Sequence, residues 1–196
     1  MKVQIFTPTH SGAVQMETAM SMVQGTSLLA LADINFEWKV QAGGCFMHVI
    51  RDRAAREFLE SDCTDLVFLD DDIGFDADAI LKLLAHEKLV VGAPCVKRKD
   101  DSELVLKAAG PQEGDLLPVQ YIGTGLLRIH NTALHMVFSE YGRCFDIIWD
   151  SGGNAMGEDI WFSRACTAVG IQPWADMSIN TSHTGRKVWT NQKSSA

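Results

Sequence analysis

At 196 residues, 46% hydrophobic and 21% charged, the chain has the length and apolar content of one globular domain with a substantial core. A formal net charge of −8 argues against nonspecific binding to a polyanion and leaves room only for a local basic patch, with Arg186, Lys187 and Lys193 as its candidates. The five cysteines, Cys45, Cys63, Cys95, Cys144 and Cys166, are odd in number, widely spaced and lack a C-x-x-C pair. That excludes a disulfide frame or zinc site and predicts reduced core thiols in a reducing compartment.

The opening MKVQIFTPTH enters a strand pattern at once, without a secretory apolar core. No later apolar run is long enough to span a bilayer, so a cytoplasmic protein without membrane insertion is expected. Lys2–Thr7 reads as a first strand ending at Pro8. A helix is predicted from about Gly12 to Ala32, with Ser11 as a possible cap and Val14, Met22, Leu28 and Leu29 as apolar positions. Asn35–Gln41 alternates Phe36, Trp38 and Val40, the period of a half-buried strand. A helix through Arg53–Glu60 follows, rich in good helix formers. Next come a short central strand at Asp65–Leu69, a helix at Asp76–His86 and a strand at Leu89–Ala93. This alternation predicts a mixed, mostly parallel sheet covered on both faces by helices.

The second half mixes its elements more. Glu103–Ala108 and Pro118–Ile129 read as extended, the latter interrupted by Gly123 and Gly125. Asn131–Tyr141 reads as a helix, Phe145–Trp149 as a strand, and Gly157–Val169 as a helix stopped by Gly170. Two short strands near Ile171–Trp174 and Ser178–Asn180 close the domain. There is no internal repeat, and only the tail TNQKSSA reads as disordered.

The stretch LVFLDDDIGFD, Leu66–Asp76, places three aspartates at the carboxyl end of an apolar strand, where ligands sit in open α/β sheets. If the backbone stays extended there, Asp70 and Asp72 share one side, roughly 6.6 Å apart. Two carboxylates so placed can share a hydrated cation or divide the work between a metal and a sugar hydroxyl. Mg²⁺ and Mn²⁺ prefer such hard oxygens and complete their shell with substrate phosphates. The plainer alternative is a solvated acidic loop capping the helix near Asp76.

The longer run RDRAAREFLESDCTDLVFLDDDIGFDADAILKLL resembles the nucleotide-sugar half of a GT-A-fold glycosyltransferase, most like the family-two type and its small stand-alone bacterial and phage members. The resemblance implies a Rossmann-like sheet, with a single catalytic domain over 1–187. Its nucleotide-sugar half covers about 1–100, its acceptor half about 101–187, and 188–196 form a flexible tail. It makes Asp70–Asp72 the D-x-D motif, with Asp72 a direct ligand of Mn²⁺ or Mg²⁺. Asp70 would contact the ribose or the hydrated metal, as would Asp71. The family's Arg-Asn pair stands here as Arg51-Asp52; Arg51 can still face the nucleotide or its phosphates, while Asp52 is a departure.

Two further motifs follow in the family's order. In GEDIWFSRACTAVG, Glu158 and Asp159 open a predicted helix, whose dipole favours ionised carboxylates. The resemblance makes Asp159 the acceptor contact and, in an inverting enzyme, the base, with Glu158 supporting it. In SINTSHTG, His183 corresponds to the C-terminal histidine that such enzymes supply to the metal. His10, His48, His86, His130 and His135 lack that context. In YIGTGLLRI, Gly123 and Gly125 permit close approach of backbone to a ligand, or a bulge, and the resemblance sets them beside the donor sugar. In FTPTH, Thr7, Pro8 and Thr9 would meet the nucleotide base and ribose.

The implied reaction moves a sugar from a nucleotide-diphosphate sugar, with UDP the expected nucleotide, to a hydroxyl acceptor on a glycan, a protein or a hydroxymethylated DNA base. For DNA, Lys97, Arg98, Lys99, Arg186 and Lys187 would form a local groove. Two rivals stand beside it. VFLDDDIG also resembles the first motif of haloacid-dehalogenase-type phosphatases with Asp70 as nucleophile, although Gly74 replaces the usual Thr or Val. The other rival is a nucleotide-sugar-binding module without catalysis.

Overall fold

The computed structural model describes residues 1–98, 103–185 and 188–191. The chain opens with β1 (Lys2–Thr9), α1 (Met16–Leu31), β2 (Asn35–Ala42), α2 (Met47–Leu59) and β3 (Asp65–Leu69). β4 (Ile73–Phe75), α3 (Ala79–Ala85), β5 (Val90–Gly92), β6 (Leu106–Ala108), β7 (Leu116–Ile122), β8 (Leu126–His130) and α4 (Asn131–Tyr141) follow. β9 (Ile148–Trp149), β10 (Ala155–Met156), α5 (Glu158–Ala168), β11 (Trp174–Asp176), β12 (Thr181–Thr184) and β13 (Val188–Thr190) complete it.

The main sheet has the order β2-β1-β3-β8-β5-β11-β7-β6. Following the pairings along it, β7 and β8 run against the other strands, so the sheet is mixed and mostly parallel, as expected. Strand alternation splits the core between its two faces. Phe6, Leu66 and Phe68 pack with Ala54 and Phe58 of α2, Leu134 and Val137 of α4, and Phe162 of α5. Val3, Ile5, Val67 and Leu69 pack with Met22 and Leu29 of α1 and Ile80 and Leu83 of α3. Each such buried Val, Leu, Ile, Phe or Met side chain contributes about 1.5–3 kcal/mol. Cys63, Cys95, Cys144 and Cys166 are buried and Cys45 exposed, all as free thiols. No helix among the described residues is long and apolar enough to cross a membrane.

Several boundaries differ from expectation. β1 continues through Pro8 to Thr9, past its last pair with β3 at Phe6↔Phe68, where one flank of the strand has no partner strand and a proline is tolerated. α1 begins at Met16 rather than Gly12, with Val14 outside it, and buries Thr18, Ser21, Met22, Gly25 and Leu29. Ser21 Oγ accepts from the Phe75 amide at 2.9 Å, and a Cβ on Gly25 would lie 3.3 Å from the Phe75 ring. α2 starts at Met47, six residues before Arg53, so Arg51 is helical. The unforeseen β4 exists because β12 pairs with it, His183 opposite Ile73. Phe145 is drawn into the core, stacked 4.7 Å from Phe162, which leaves only Ile148–Trp149 as strand. The two strands expected to close the domain lie three residues later, at Trp174 and Thr181, and a further strand, β13, pairs with β12 where a flexible tail from 188 was expected.

One buried ion pair links neighbouring strands. Arg128 Nε of β8 donates to Asp65 Oδ1 of β3 at 2.6 Å, and Arg128 Nη1 reaches the Lys88 carbonyl. The side chains are 5% and 2% exposed. Arg128→Met strands a buried carboxylate and should cost about 3–5 kcal/mol, a fall in Tm on the order of 10 °C by calorimetry. Replacing Asp65 by Leu as well should recover most of that loss. A single variant that melts like the parent would refute this account.

Candidate active site

The three aspartates form a turn, not a continued strand. The Asp70 amide donates to the Gly125 carbonyl at 2.9 Å, and the Ile73 amide folds back to the Asp70 carbonyl at 3.4 Å. Gln15 N–H holds the Asp71 carbonyl and Thr184 N–H the Asp72 carbonyl, each at 2.8 Å. The turn is therefore pinned from three other segments, and Asp70 and Asp72 face different partners instead of one shared side.

Asp70 faces Arg51. Arg51 Nη2 donates to Asp70 Oδ1 at 2.6 Å and Nε to Glu158 Oε1 at 3.1 Å, tying the end of β3 to the start of α5 through α2. The arginine side chain is 2% exposed, sits over the Phe68 ring at 5.2 Å, and its Nη1 has no partner among the described residues. Burial works against its charge, but Asp70 and Glu158 outweigh burial and raise its pKa.

Asp72 faces His183 and Arg98. The pairing of β12 with β4 brings His183 Nε2 to 3.4 Å from Asp72 Oδ1. His183 Nδ1 lies 2.8 Å from the Val96 carbonyl. A carbonyl only accepts, so Nδ1 carries the proton and Nε2 presents its lone pair, accepting from Arg98 Nε at 2.9 Å. Burial lowers the His183 pKa, Arg98 adds to the effect, and the Val96 contact opposes it. The imidazole is thus held neutral, in the tautomer a metal ligand needs, with a carbonyl as its outer partner.

Asp159 is the second residue of α5. Its Oδ1 accepts from the Ile160 amide at 2.8 Å, and a Cβ at Gly157 would fall 2.7 Å from that same oxygen. Gly157 therefore keeps the space the carboxylate occupies. Burial raises the Asp159 pKa and neighbouring Glu158 adds to the rise, against the Ile160 amide and Arg51.

Of these groups, Arg51, Asp70, Glu158, Asp159 and His183 line a cavity of about 300 Å³ at the carboxyl ends of β3 and β5, together with Gly123, Thr124 and Gly125, among others. A larger groove of about 380 Å³ beside Lys107, Tyr121 and Arg164 has no carboxylate in its lining.

No family model and no curated protein matches this sequence. Solved structures do. The protein A197 from STIV superposes with a TM-score of 0.61 at 19% identity, over 100% of this chain and 97% of its own. GalNAc-T7, solved with UDP, GalNAc and Mn²⁺, superposes at 0.59 and 10% identity over 93% of this chain. TarS from S. aureus, solved with UDP-GlcNAc, does so at 0.52 and 12% identity over 89%. The fold is GT-A-like. The chain spans 43% and 56% of the length of those two glycosyltransferases.

Within this GT-A-like fold the remaining expected residues lie as follows. Gly123 and Gly125 admit protein neighbours: added Cβ atoms would sit 3.0 Å from Val105 Cγ1 and 3.1 Å from Cys95 Sγ. Burial pushes the Cys95 thiol up to about 12, so it stays neutral as a cavity wall. Thr7, Pro8 and Thr9 are buried and do not line the cavity. Thr7 Oγ1 accepts from Trp38 Nε1 at 2.9 Å, and Thr9 Oγ1 donates to the Ala13 carbonyl at 2.8 Å. Asp71 and Asp72 are also outside the lining. A second hollow of about 370 Å³, bounded by Gly43, Gly44, Phe46 and Arg53, flanks the other side of the start of α2.

Asp52 has a structural task. It accepts from the Cys144 amide at 2.6 Å, the Phe145 amide at 3.2 Å and Arg56 Nε at 2.8 Å, closing the loop after α4. Of the expected basic groove, Lys97 pairs with Glu103 and Arg98 with Asp72. Lys99, Arg186, Lys187 and Lys193 lie outside the described residues, as does most of the expected tail.

Among the described residues no three carboxylate, imidazole or thiol groups converge on one point. Asp72 and His183 nonetheless fit Mn²⁺ or Mg²⁺ as a pair of hard oxygen and neutral nitrogen donors. Sequence reading had not assigned Arg98 or Gly157 to the site. Arg98 lies in no motif and its role depends on the β4–β12 pairing; Gly157 opens the Glu158-Asp159 motif, but the space it leaves for the carboxylate shows only in the α5 turn.

Proposed function

We propose that the protein is a glycosyltransferase that moves a sugar from a nucleotide-diphosphate sugar, UDP-linked, to a hydroxyl acceptor. The observation that carries this reading is one cavity at strand ends of a GT-A-like fold, with the Arg51–Asp70–Glu158 cluster and Asp159 in its wall. Asp72 and His183 would hold Mn²⁺ or Mg²⁺ together with the donor diphosphate, and the ion would offset charge on that leaving group. The hollow beside Phe46 and Gly44 offers the nucleotide base a ring to stack on, Phe46 being 64% exposed.

Asp159 takes the acceptor proton as the acceptor oxygen bonds to the anomeric carbon and the bond to the diphosphate breaks. Burial makes its carboxylate a stronger base than a free one. Arg51 positions rather than binds: its nearly full burial and two carboxylate partners fix Asp70 and the start of α5 relative to each other. Orientation of this kind supplies part of the rate. The same pairing speaks against Asp70 as a phosphatase nucleophile, since its Oδ1 already faces a guanidinium.

A thermal-shift screen of nucleotide sugars with and without Mn²⁺ tests the reading. A cognate donor at a hundredfold its Kd should raise Tm by about 5–10 °C in the presence of metal. If every nucleotide sugar leaves the melt unmoved both with and without Mn²⁺, the reading is wrong.

A further inference from the structure

The corner between Asp72 and His183 already holds a cation of the chain's own. Arg98 Nη2 pairs with Asp72 Oδ2, and Arg98 Nε donates to His183 Nε2 at 2.9 Å. One guanidinium thus takes up both the carboxylate oxygen and the imidazole lone pair that a metal ion would use. An ion can take those lone pairs only if the guanidinium moves away.

We propose that Arg98 competes with a divalent cation for Asp72 and His183 and sets how tightly the protein binds metal before donor arrives. An ion and a guanidinium cannot share those lone pairs, and their like charges repel at such range. Metal binding to the donor-free protein therefore carries the cost of displacing Arg98. A diphosphate lowers that cost, because a planar guanidinium finds a bidentate partner in phosphate oxygens. Metal and nucleotide consequently strengthen each other's binding, by the same factor in both directions. Arg98 is 48% exposed and joins no core cluster, so replacing it leaves the fold intact. The inference rests on the reading of this corner as the diphosphate corner.

The experiment titrates Mn²⁺ into the full chain without nucleotide and follows free ion by electron paramagnetic resonance. Arg98→Gln should bind Mn²⁺ about tenfold more tightly than the parent, and Asp72→Asn added to Arg98→Gln should erase the gain. Equal or weaker binding by Arg98→Gln, or a gain that survives Asp72→Asn, overturns the proposal. A parallel titration of UDP separates the two ideas. If Arg98→Gln gains metal affinity while neither protein binds UDP, the competition stands and the donor reading fails. If UDP binds with Mn²⁺ and Arg98→Gln gains nothing, the competition fails and the donor reading stands.

Discussion

Asp159→Asn should lower donor turnover by about 10²–10⁴-fold while making the protein harder to melt. Turnover can be followed as hydrolysis of the donor by water, which needs no knowledge of the natural acceptor and uses the same proton transfer. The amide keeps an oxygen to accept from the Ile160 N–H, so the start of α5 stays in place. What disappears is a half-buried negative charge beside Glu158. The sign of the stability effect follows from linkage. A carboxyl whose folded pKa is raised binds its proton more tightly in the folded than in the unfolded state. Its ionisation therefore destabilises the fold. The penalty is absent below the ordinary carboxylate range, grows as pH rises towards the folded value, and is complete above it. At neutral pH the variant escapes the whole penalty, so its Tm should exceed the parent's.

The pH profile gives an independent reading of the same carboxyl. A proposed base acts in its ionised form, so the acid limb of the parent's kcat/KM should lie above the ordinary carboxylate range. That limb should be missing from the residual activity of Asp159→Asn. A variant that turns over donor within a few-fold of the parent would remove Asp159 from the chemistry. One that loses activity and also melts earlier would mark it as a structural residue.

How much of this was legible in the sequence depends on the range of the interactions involved. β3 and α4 occupy the expected residues because a short apolar run and a capped helical stretch are decided locally. The start of α2 carried no local signal, because Phe46 precedes it without a side-chain cap. β4 could not be foreseen, because Ile73–Phe75 becomes strand only when β12, a hundred residues later in the chain, pairs with it. The site divides in the same way. The aspartate turn and the Gly157–Asp159 helix start are local motifs and announced themselves. The partners that orient them are not local. Arg51 meets Asp70 and Glu158 from a separate helix, and Arg98 meets Asp72 and His183 only after two sheet edges close. The hydroxyls of Thr7 and Thr9 looked available in the sequence because Trp38 and the Ala13 carbonyl, which engage them, lie on neighbouring segments.

The second large effect belongs to Arg51. Arg51→Met should cost about 2–3 kcal/mol and lower Tm by about 4–12 °C. The estimate is below that for a fully buried pair because the Asp70 and Glu158 side chains are 30% and 18% exposed and can recover some hydration. Loss of the guanidinium leaves two carboxylates facing each other across the seam between β3 and α5, with nothing to hold them together. Asp159, adjacent to Glu158, then loses its fixed distance from the donor corner. A displacement of about 1 Å is enough to cost 10²-fold in rate, so turnover should fall by about that factor at temperatures where the variant remains folded. Arg51→Lys restores a positive charge without the two-pronged geometry. It should regain part of the stability and little of the activity. Arg128→Met supplies the comparison, because it loses at least as much stability at a pair outside the cavity and should keep its turnover. If both arginine variants fall equally in turnover, the loss reflects weakened folding and Arg51 has no positioning role. If Arg51→Met alone falls, the charge bridge from α2 is what holds the catalytic end of α5 against the aspartate turn.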